Sequence, residues 1–172
     1  MDYKAPTYAA SREANEELWS EVLPGLWQGG THWKDVLWNT DRDYQNITRD
    51  DFDLVVTMYA DANPVDWFVE EIRLGVMDAH IDDVDLPRIL AVVKRVHKAW
   101  KQGDKVLIRC QAGWNRSGLI TALVLIKDGM DAAAAIDLIR ERRSPSALCN
   151  RSFAEWLVEQ GETAVLELTP TS

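Results

Sequence analysis

The sequence feature that most constrains the fold is a polar, glycine-containing run at residues 110–118, which lies between two apolar segments. Residues 105–109 have the composition of a buried strand, and residues 119–126 have that of a helix. A loop in this position directs successive backbone N–H groups and the amino-terminal end of a helix towards one point. The sequence therefore predicts a strand–loop–helix unit that binds an anion such as phosphate.

Three side chains of this run carry chemistry. Cys110 is a candidate nucleophile, because a helix terminus and a nearby guanidinium favour the thiolate. Arg116 can hold two phosphoryl oxygens through its planar fork. Ser117, in the first turn of the helix, is placed to hydrogen-bond the sulfur when it acts as a leaving group. A cysteine is more often a small buried apolar residue, and the loop context reverses that expectation for Cys110.

The remaining loop residues fit a phosphate cradle. Gly113 permits a turn with positive φ and a close approach of the backbone. Trp114 has two interpretations: it packs on a neighbouring loop, which we favour, or it stacks against the substrate. The predicted phosphate-binding set is Gln111, Ala112, Gly113, Trp114, Asn115 and Arg116.

The Cys-x5-Arg-Ser pattern between a strand and a helix resembles the signature of the cysteine-dependent protein phosphatases, of the compact dual-specificity or protein-tyrosine type. Residues 22–30 resemble the first strand and turn of that superfamily, and residues 144–153 resemble its closing segment. The resemblance covers roughly residues 20–160. It implies hydrolysis of phosphate esters through a cysteinyl-phosphate, with no metal or organic cofactor.

The same resemblance implies a carboxylic acid that protonates the departing oxygen. It places this acid within residues 75–87, which contain several carboxylates. Asp78 is our choice, because it comes first after a predicted strand and its spacing from Cys110 resembles that of the family. Asp82 and Asp83 remain alternatives, since a loop can present a neighbouring residue without any signal in the sequence.

One residue departs from the family pattern. Relatives usually have histidine directly before the nucleophile, whereas this chain has Arg109. Successive strand residues point to opposite faces of a sheet. We therefore expect Arg109 to lie outside the pocket of Cys110, to act only through the local electric field, and to lower activity relative to histidine.

The alternation of apolar segments along the chain predicts the fold class. Strands are expected at residues 26–28, 53–58, 72–76 and 106–109, and helices at residues 11–20, 86–101, 119–126, 132–142 and 152–159, the last ending near Gly161. This order predicts a single-domain α/β fold with a mostly parallel central sheet and helices on both faces. Residues 21–165 would form the catalytic domain, between tails at residues 1–20 and 166–172.

The charge and composition of the chain limit the classes of molecule that it is expected to bind. The formal net charge of −9 disfavours nucleic acid and anionic membranes, which attract basic surfaces. The loop adds no lysine of the kind found in phosphoinositide phosphatases, so a phosphorylated protein is the expected substrate. No apolar run is long enough to span a bilayer, and a reduced cysteine suits the cytoplasm. Nothing in the sequence indicates an oligomeric state.

Other residues that could react or bind a metal are better explained by structural roles. Cys149 is expected to pack in the interior. His80 with its neighbouring carboxylates does not supply the three or four convergent ligands of a metal site, so no metal is expected. Asp85 is expected to cap the following helix, and Asp131 to open the helix at residues 132–142.

The predicted function is a protein phosphatase for phosphotyrosine, with phosphoserine and phosphothreonine left open as further substrates. Two alternatives use the same loop. One is a phosphopeptide-binding module with little turnover, which the departure at Arg109 makes conceivable. The other is a sulfurtransferase or an arsenate-reducing enzyme.

Overall fold

The computed structural model describes residues 17–40 and 46–168. It contains one five-stranded sheet in the order β1-β2-β5-β3-β4. The strands are β1 Trp19–Leu23, β2 Leu26–Gly29, β3 Leu54–Thr57, β4 Glu70–Arg73 and β5 Val106–Arg109. β1 pairs antiparallel with β2, and every other neighbouring pair is parallel, so the carboxyl ends of β2, β3, β4 and β5 meet at one edge.

Four helices flank the sheet, and with it they confirm the predicted α/β class. They are α1 Leu86–Lys101, α2 Arg116–Lys127, α3 Ala132–Arg142 and α4 Arg151–Leu166. The predicted cap at Asp85 is confirmed, because its side chain accepts the N–H group of Arg88, and Asp131 caps α3 in the same way by accepting the N–H group of Ala134. No helix within the described ranges is long and apolar enough to cross a membrane.

The core is built around α2. Every residue from Ser117 to Ile126 is buried, as expected for a helix that is apolar on all sides. The other three helices all contact α2, and their buried residues form one cluster with Leu54, Val56 and Ile108 from one face of the sheet. The amino-terminal end of α2 is thereby fixed directly after the central strand β5.

Helices were expected on both faces of the sheet, but in the part of the chain that the structure describes loop side chains cover the opposite face. Val55 and Leu107 point to this side. The rings of Trp19 and Trp27 meet that of Phe52 edge to face, with centroids 5.3 and 5.9 Å apart. The smaller cluster on this face consists of Ile47, Phe52, Val55, Val65, Val69 and Leu107.

Several element bounds differ from the sequence prediction, among them the start of α2, which lies at Arg116 and not at residue 119. The last helix continues past Gly161, because this glycine packs against α2: an added Cβ would lie 3.1 Å from Ile126 Cδ1. The strand predicted at residues 72–76 begins and ends earlier, at Glu70–Arg73 (β4), because its pairing with β3 sets its register. Of the helix predicted at residues 11–20, the part up to residue 16 lies outside the described residues, and Trp19 and Ser20 belong to β1.

Candidate active site

The loop at residues 110–115 leaves the centre of the sheet between β5 and α2. The N–H group of Cys110 donates to the carbonyl of Gly29 at 3.1 Å. Thr31 contacts the loop twice, because its N–H group donates to the carbonyl of Gln111 and its hydroxyl to the carbonyl of Cys110, both at 3.0 Å. These bonds attach the start of the loop to the chain that follows β2.

Two side chains from distant parts of the sequence bind the middle of the loop. Gln28 Nε2 and Arg143 Nε donate to the carbonyl of Gly113 at 3.1 and 3.2 Å. Arg143 Nη2 also donates to the carbonyl of Ala112 at 3.1 Å. In a trans peptide the N–H group points away from the preceding carbonyl. The N–H groups of Gly113 and Trp114 therefore point away from Arg143.

Gly113 is required by the shape of the loop. It has the predicted positive φ, at +77°, and an added Cβ would lie 2.3 Å from the carbonyl carbon of Gly29. A side chain at this position would therefore be strained and would force the backbones of the loop and β2 apart.

The sulfur of Cys110 lies inside the loop. Gly113 N–H donates to it at 3.2 Å, and the hydroxyl oxygen of Ser117 lies 3.3 Å away. The residue is only 2% exposed. A backbone N–H group and a hydroxyl group therefore both lie within hydrogen-bond distance of the sulfur, inside the loop.

The guanidinium of Arg116 is held from several sides. Its Nη1 donates to the carbonyl of Val76 at 3.0 Å, and its Nη2 donates to Gln111 Oε1 at 3.5 Å. Its carbon Cζ lies 5.8 Å from the centroid of the Tyr59 ring. Its Nε is buried and has no hydrogen-bond partner among the described residues. A charged donor in this state suits an incoming phosphoryl oxygen.

Asp78 lies at the rim of the loop, whereas the other two candidate acids do not contact it. Asp78 Oδ2 accepts from Asn115 Nδ2 at 2.9 Å, which connects it directly to the loop. Asp82 is 86% exposed and lies against His80, and Asp83 ends the short 3₁₀ turn Ile81–Asp83. Within the described ranges, no group of three or more metal-ligating side chains is present.

Arg109 lies on the opposite face of β5 from Cys110, which confirms that it does not share the pocket. It is buried, and its Nε donates to Thr57 Oγ1 at 3.0 Å. Its Nη1 donates to Asp35 Oδ2 at 2.6 Å and its Nη2 to the carbonyl of Asn63 at 2.7 Å. Burial raises the pKa of Asp35 above its usual value, against the lowering effect of the Arg109 charge.

Two expectations for single residues have different outcomes. The prediction that Cys149 packs in the interior is wrong: Cys149 is exposed in the turn before α4, with its sulfur 3.4 Å from Asn115 Nδ2. Trp114 is half-buried, and its carbonyl accepts from Leu148 N–H at 3.2 Å. Its contact with substrate stays a prediction.

The sequence analysis missed four residues that shape the site, namely Gln28, Thr31, Arg143 and Asn150. Each lies far from residues 110–116 in the chain, so local patterns could not connect it to the loop. A weak signal existed for Gln28, because a polar residue that follows two apolar residues in a predicted strand needs a partner if it is buried, and the structure shows that it is. Asn150 lies in the segment that resembles the closing motif of the phosphatase family, yet its partner could not be read from sequence.

Known proteins share this architecture. The family model "Dual specificity phosphatase, catalytic domain" matches residues 41–163. The fold is similar to that of a mouse putative dual specificity phosphatase complexed with zinc tungstate, with a TM-score of 0.69, 20% identity, and coverage of 93% of this chain and 97% of that chain. Human DUSP28 is similar with a TM-score of 0.68, 20% identity, and coverage of 87% and 99%. PTPMT1 in complex with PI(5)P is similar with a TM-score of 0.66, 19% identity, and coverage of 89% and 100%.

No curated protein sequence matches the chain. The structural similarities, at this level of identity, establish a shared fold. The family match is more specific, because residues 41–163 include the loop around Cys110, the segment with Asp78, and the start of α4. With the family shown over most of its length, this chain belongs to the dual specificity phosphatase family.

Proposed function

We propose that this protein hydrolyses phosphorylated side chains of proteins, phosphotyrosine first among them, through a phosphate ester of Cys110. The observation that carries the proposal is the sulfur inside its loop, with Gly113 N–H at 3.2 Å and Ser117 Oγ at 3.3 Å. A cysteine that only fills space in a core has no need of such donors. Membership of the phosphatase family supports the same reaction class.

In the first step the thiolate of Cys110 attacks phosphorus while the bond from phosphorus to the ester oxygen breaks. Arg116 and the inward N–H groups of the loop hold the three equatorial oxygens, which carry the charge of the transition state. Asp78 gives its proton to the departing phenol or alcohol oxygen. The products of this step are the dephosphorylated side chain and a cysteinyl-phosphate.

In the second step water attacks the phosphorus, and Asp78, now ionised, accepts a proton from it. The sulfur–phosphorus bond breaks, and inorganic phosphate is released. Ser117 hydrogen-bonds the sulfur as negative charge returns to it, which stabilises the leaving group. Asp78 regains its proton and Cys110 its thiolate, so no metal, oxidant or reductant is consumed.

Charge favours a protein substrate over a lipid headgroup. The structure of PTPMT1 with PI(5)P has a similar fold. In the present chain, however, Arg116 is the only basic residue in positions 110–116, and the net charge is −9. A phosphoinositide on an anionic membrane requires more positive charge than this surface offers.

The direct test is turnover of phosphotyrosine peptides in the presence of a metal chelator. We expect phosphate release by the unaltered protein and by Cys149→Ser, the matched control at the second cysteine, and none by Cys110→Ser. A rapidly quenched reaction should show one added phosphoryl group on Cys110. Phosphoserine and phosphothreonine peptides measured in parallel establish the range of substrates.

Three outcomes would contradict the proposal. Unchanged activity in Cys110→Ser would exclude the nucleophile. Tight binding of phosphopeptide without phosphate release would indicate a binding module. Turnover of thiosulfate or arsenate in place of esters would indicate a sulfurtransferase or an arsenate-reducing enzyme.

A further inference from the structure

The segment that carries Asp78 is attached to two helices although it lies on the surface. At its start, Arg116 at the beginning of α2 donates to the carbonyl of Val76 at 3.0 Å. At its end, Ser152 in the first turn of α4 accepts the N–H group of Ile81 at 2.8 Å. Both ends of this exposed segment are therefore held at fixed positions relative to the loop.

Between these attachments, both carboxyl oxygens of Asp78 accept a hydrogen bond from an asparagine. Asn115 Nδ2 donates to Oδ2 at 2.9 Å, and Asn150 Nδ2 donates to Oδ1 at 2.8 Å. Each carboxyl oxygen can accept two hydrogen bonds. One acceptor position on each oxygen is therefore left for the proton that the acid must carry.

The orientation of both asparagine amides is determined by backbone donors. Asn115 Oδ1 accepts the N–H group of Asn150 at 3.0 Å, and Asn150 Oδ1 accepts the N–H group of Phe153 at 3.3 Å. Because an N–H group can donate only to the oxygen of an amide, the two NH2 groups must face Asp78. The second hydrogen of Asn150 Nδ2 is directed to the carbonyl of Ala79 at 2.8 Å.

We propose that Asn115 and Asn150 form an amide clamp that positions Asp78 to protonate the leaving oxygen. The inference rests on the proposed function, in which Asp78 is the acid. Both side chains act through Asp78, so they are positioning residues. Because Asn115 belongs to the loop that would bind phosphate, the clamp fixes the acid relative to the nucleophile Cys110.

The test exploits the demand that different substrates make on the acid. Phenyl phosphate has a poor leaving group and needs protonation, whereas p-nitrophenyl phosphate has a good one and needs it much less. In Asn115→Ala and Asn150→Ser we expect kcat for phenyl phosphate to fall by roughly tenfold or more, since a 1 Å misplacement can cost about 100-fold. We expect little change in KM and a much smaller loss with p-nitrophenyl phosphate.

The variants are chosen to separate positioning from folding. Serine at position 150 retains a side-chain oxygen that can cap α4, which asparagine does in the native chain. Asp82→Asn is the matched control, because this exposed carboxylate lies outside the loop contacts. Thermal unfolding of each variant checks the fold, and Asn115→Ala carries the test if Asn150→Ser unfolds.

A double-mutant cycle decides whether the asparagines act through the acid. Added to Asp78→Asn, the variant Asn115→Ala should cause no further loss with phenyl phosphate. A further loss, or equal losses with both substrates in the single variants, would overturn the clamp while leaving Asp78 as the acid. Full activity of Asp78→Asn with phenyl phosphate would overturn both the clamp and the role of Asp78, whereas loss of all turnover in Cys110→Ser would still support the nucleophile.

Discussion

Two neighbouring residues at the end of β5, Arg109 and Cys110, occupy opposite faces of the sheet and have opposite kinds of polar surroundings. They are equally buried, at 1% and 2% exposure. All three guanidinium nitrogens of Arg109 have partners within the protein. On the side of Cys110, in contrast, Arg116 Nε has no partner among the described residues. The two sites therefore differ in their hydrogen bonds and not in their burial, because the guanidinium of Arg109 is fully paired whereas that of Arg116 keeps one donor without a partner.

The saturated site connects several segments. Thr57, which accepts from Arg109, donates in turn to Glu71 Oε1 at 2.7 Å. Arg73 binds the same carboxylate at 3.0 Å and also donates to the carbonyl of Ala62. This network holds the loops after β2 and β3 on the sheet, and we expect it to contribute to stability more than to catalysis.

The largest expected effect concerns the saturated site. Arg109→Met leaves the Asp35 carboxylate buried without its cation, so the free energy of unfolding should fall by about 3–5 kcal/mol. Urea denaturation of both proteins measures this difference in the free energy of unfolding. Replacing both partners, as in Arg109→Met with Asp35→Leu, should restore much of the loss, because no carboxylate is then left buried without its cation: Glu71 keeps its ion pair with Arg73. A double variant as unstable as the single one would contradict this account of the ion pair.

The next effect concerns the unsaturated site. Arg116→Lys retains the charge but loses the planar fork, and we expect kcat/KM to fall by about 100- to 1,000-fold. The midpoint of urea denaturation should change little. Arg151→Lys is the control, because Arg151 forms only an exposed ion pair with Glu155. A large loss of stability in Arg116→Lys would erase the distinction between the two sites.

Arg143 should give an intermediate result, since it is a structural residue that shapes the loop. In Arg143→Lys, the single ammonium cannot reach the carbonyls of both Ala112 and Gly113 in the geometry of the fork. We expect a loss of about 1–3 kcal/mol in the free energy of unfolding, from unsatisfied buried carbonyls. Phosphatase activity, measured on the folded fraction, should also fall. A change in stability with full activity of the folded fraction would show that the contacts of Arg143 with the loop do not matter for catalysis.

The smallest effect is expected far from both sites, at the carboxyl end of α2. Burial opposes ionisation of Asp128, but hydrogen bonds from His97 and Lys101 outweigh it and hold the pKa below the usual 3.8. Because the pKa of Asp128 is lower in the folded state, the ionised carboxylate stabilises that state above the usual pKa of 3.8, and this contribution is lost as the pH falls through the lowered pKa. Asp128→Asn should lower the melting temperature slightly at neutral pH, and the difference should shrink towards pH 3. A constant difference across this range would contradict the assignment.

Local patterns were sufficient for α1 and for the loop. The bounds of α1 agree with the prediction because the spacing of apolar residues and the cap at Asp85 act within a few residues. The contact between Cys110 and Ser117 was also predictable, since a loop and the first turn of the following helix are adjacent in space as well as in sequence. The bounds of β4 were harder to predict from the sequence, because they depend on pairing with β3.

Long-range contacts were not accessible to the same reasoning. Asn150 and Arg143 reach the loop because α3 and α4 pack on α2, which places their ends beside residues 110–115. Cys149 is exposed for the same reason, since the turn before α4 lies at the rim of the site.

The α/β class, the strand–loop–helix unit and the candidate reacting groups could be predicted without a structure, because they follow from periodicity and from neighbours in the chain. Three-dimensional packing was needed to establish which carboxylate lies against the loop and which buried polar residues have all their hydrogen bonds. The partners of Asp78 and Arg109 come from segments that are distant in sequence, and the packing of helices and strands alone brings them within hydrogen-bond distance.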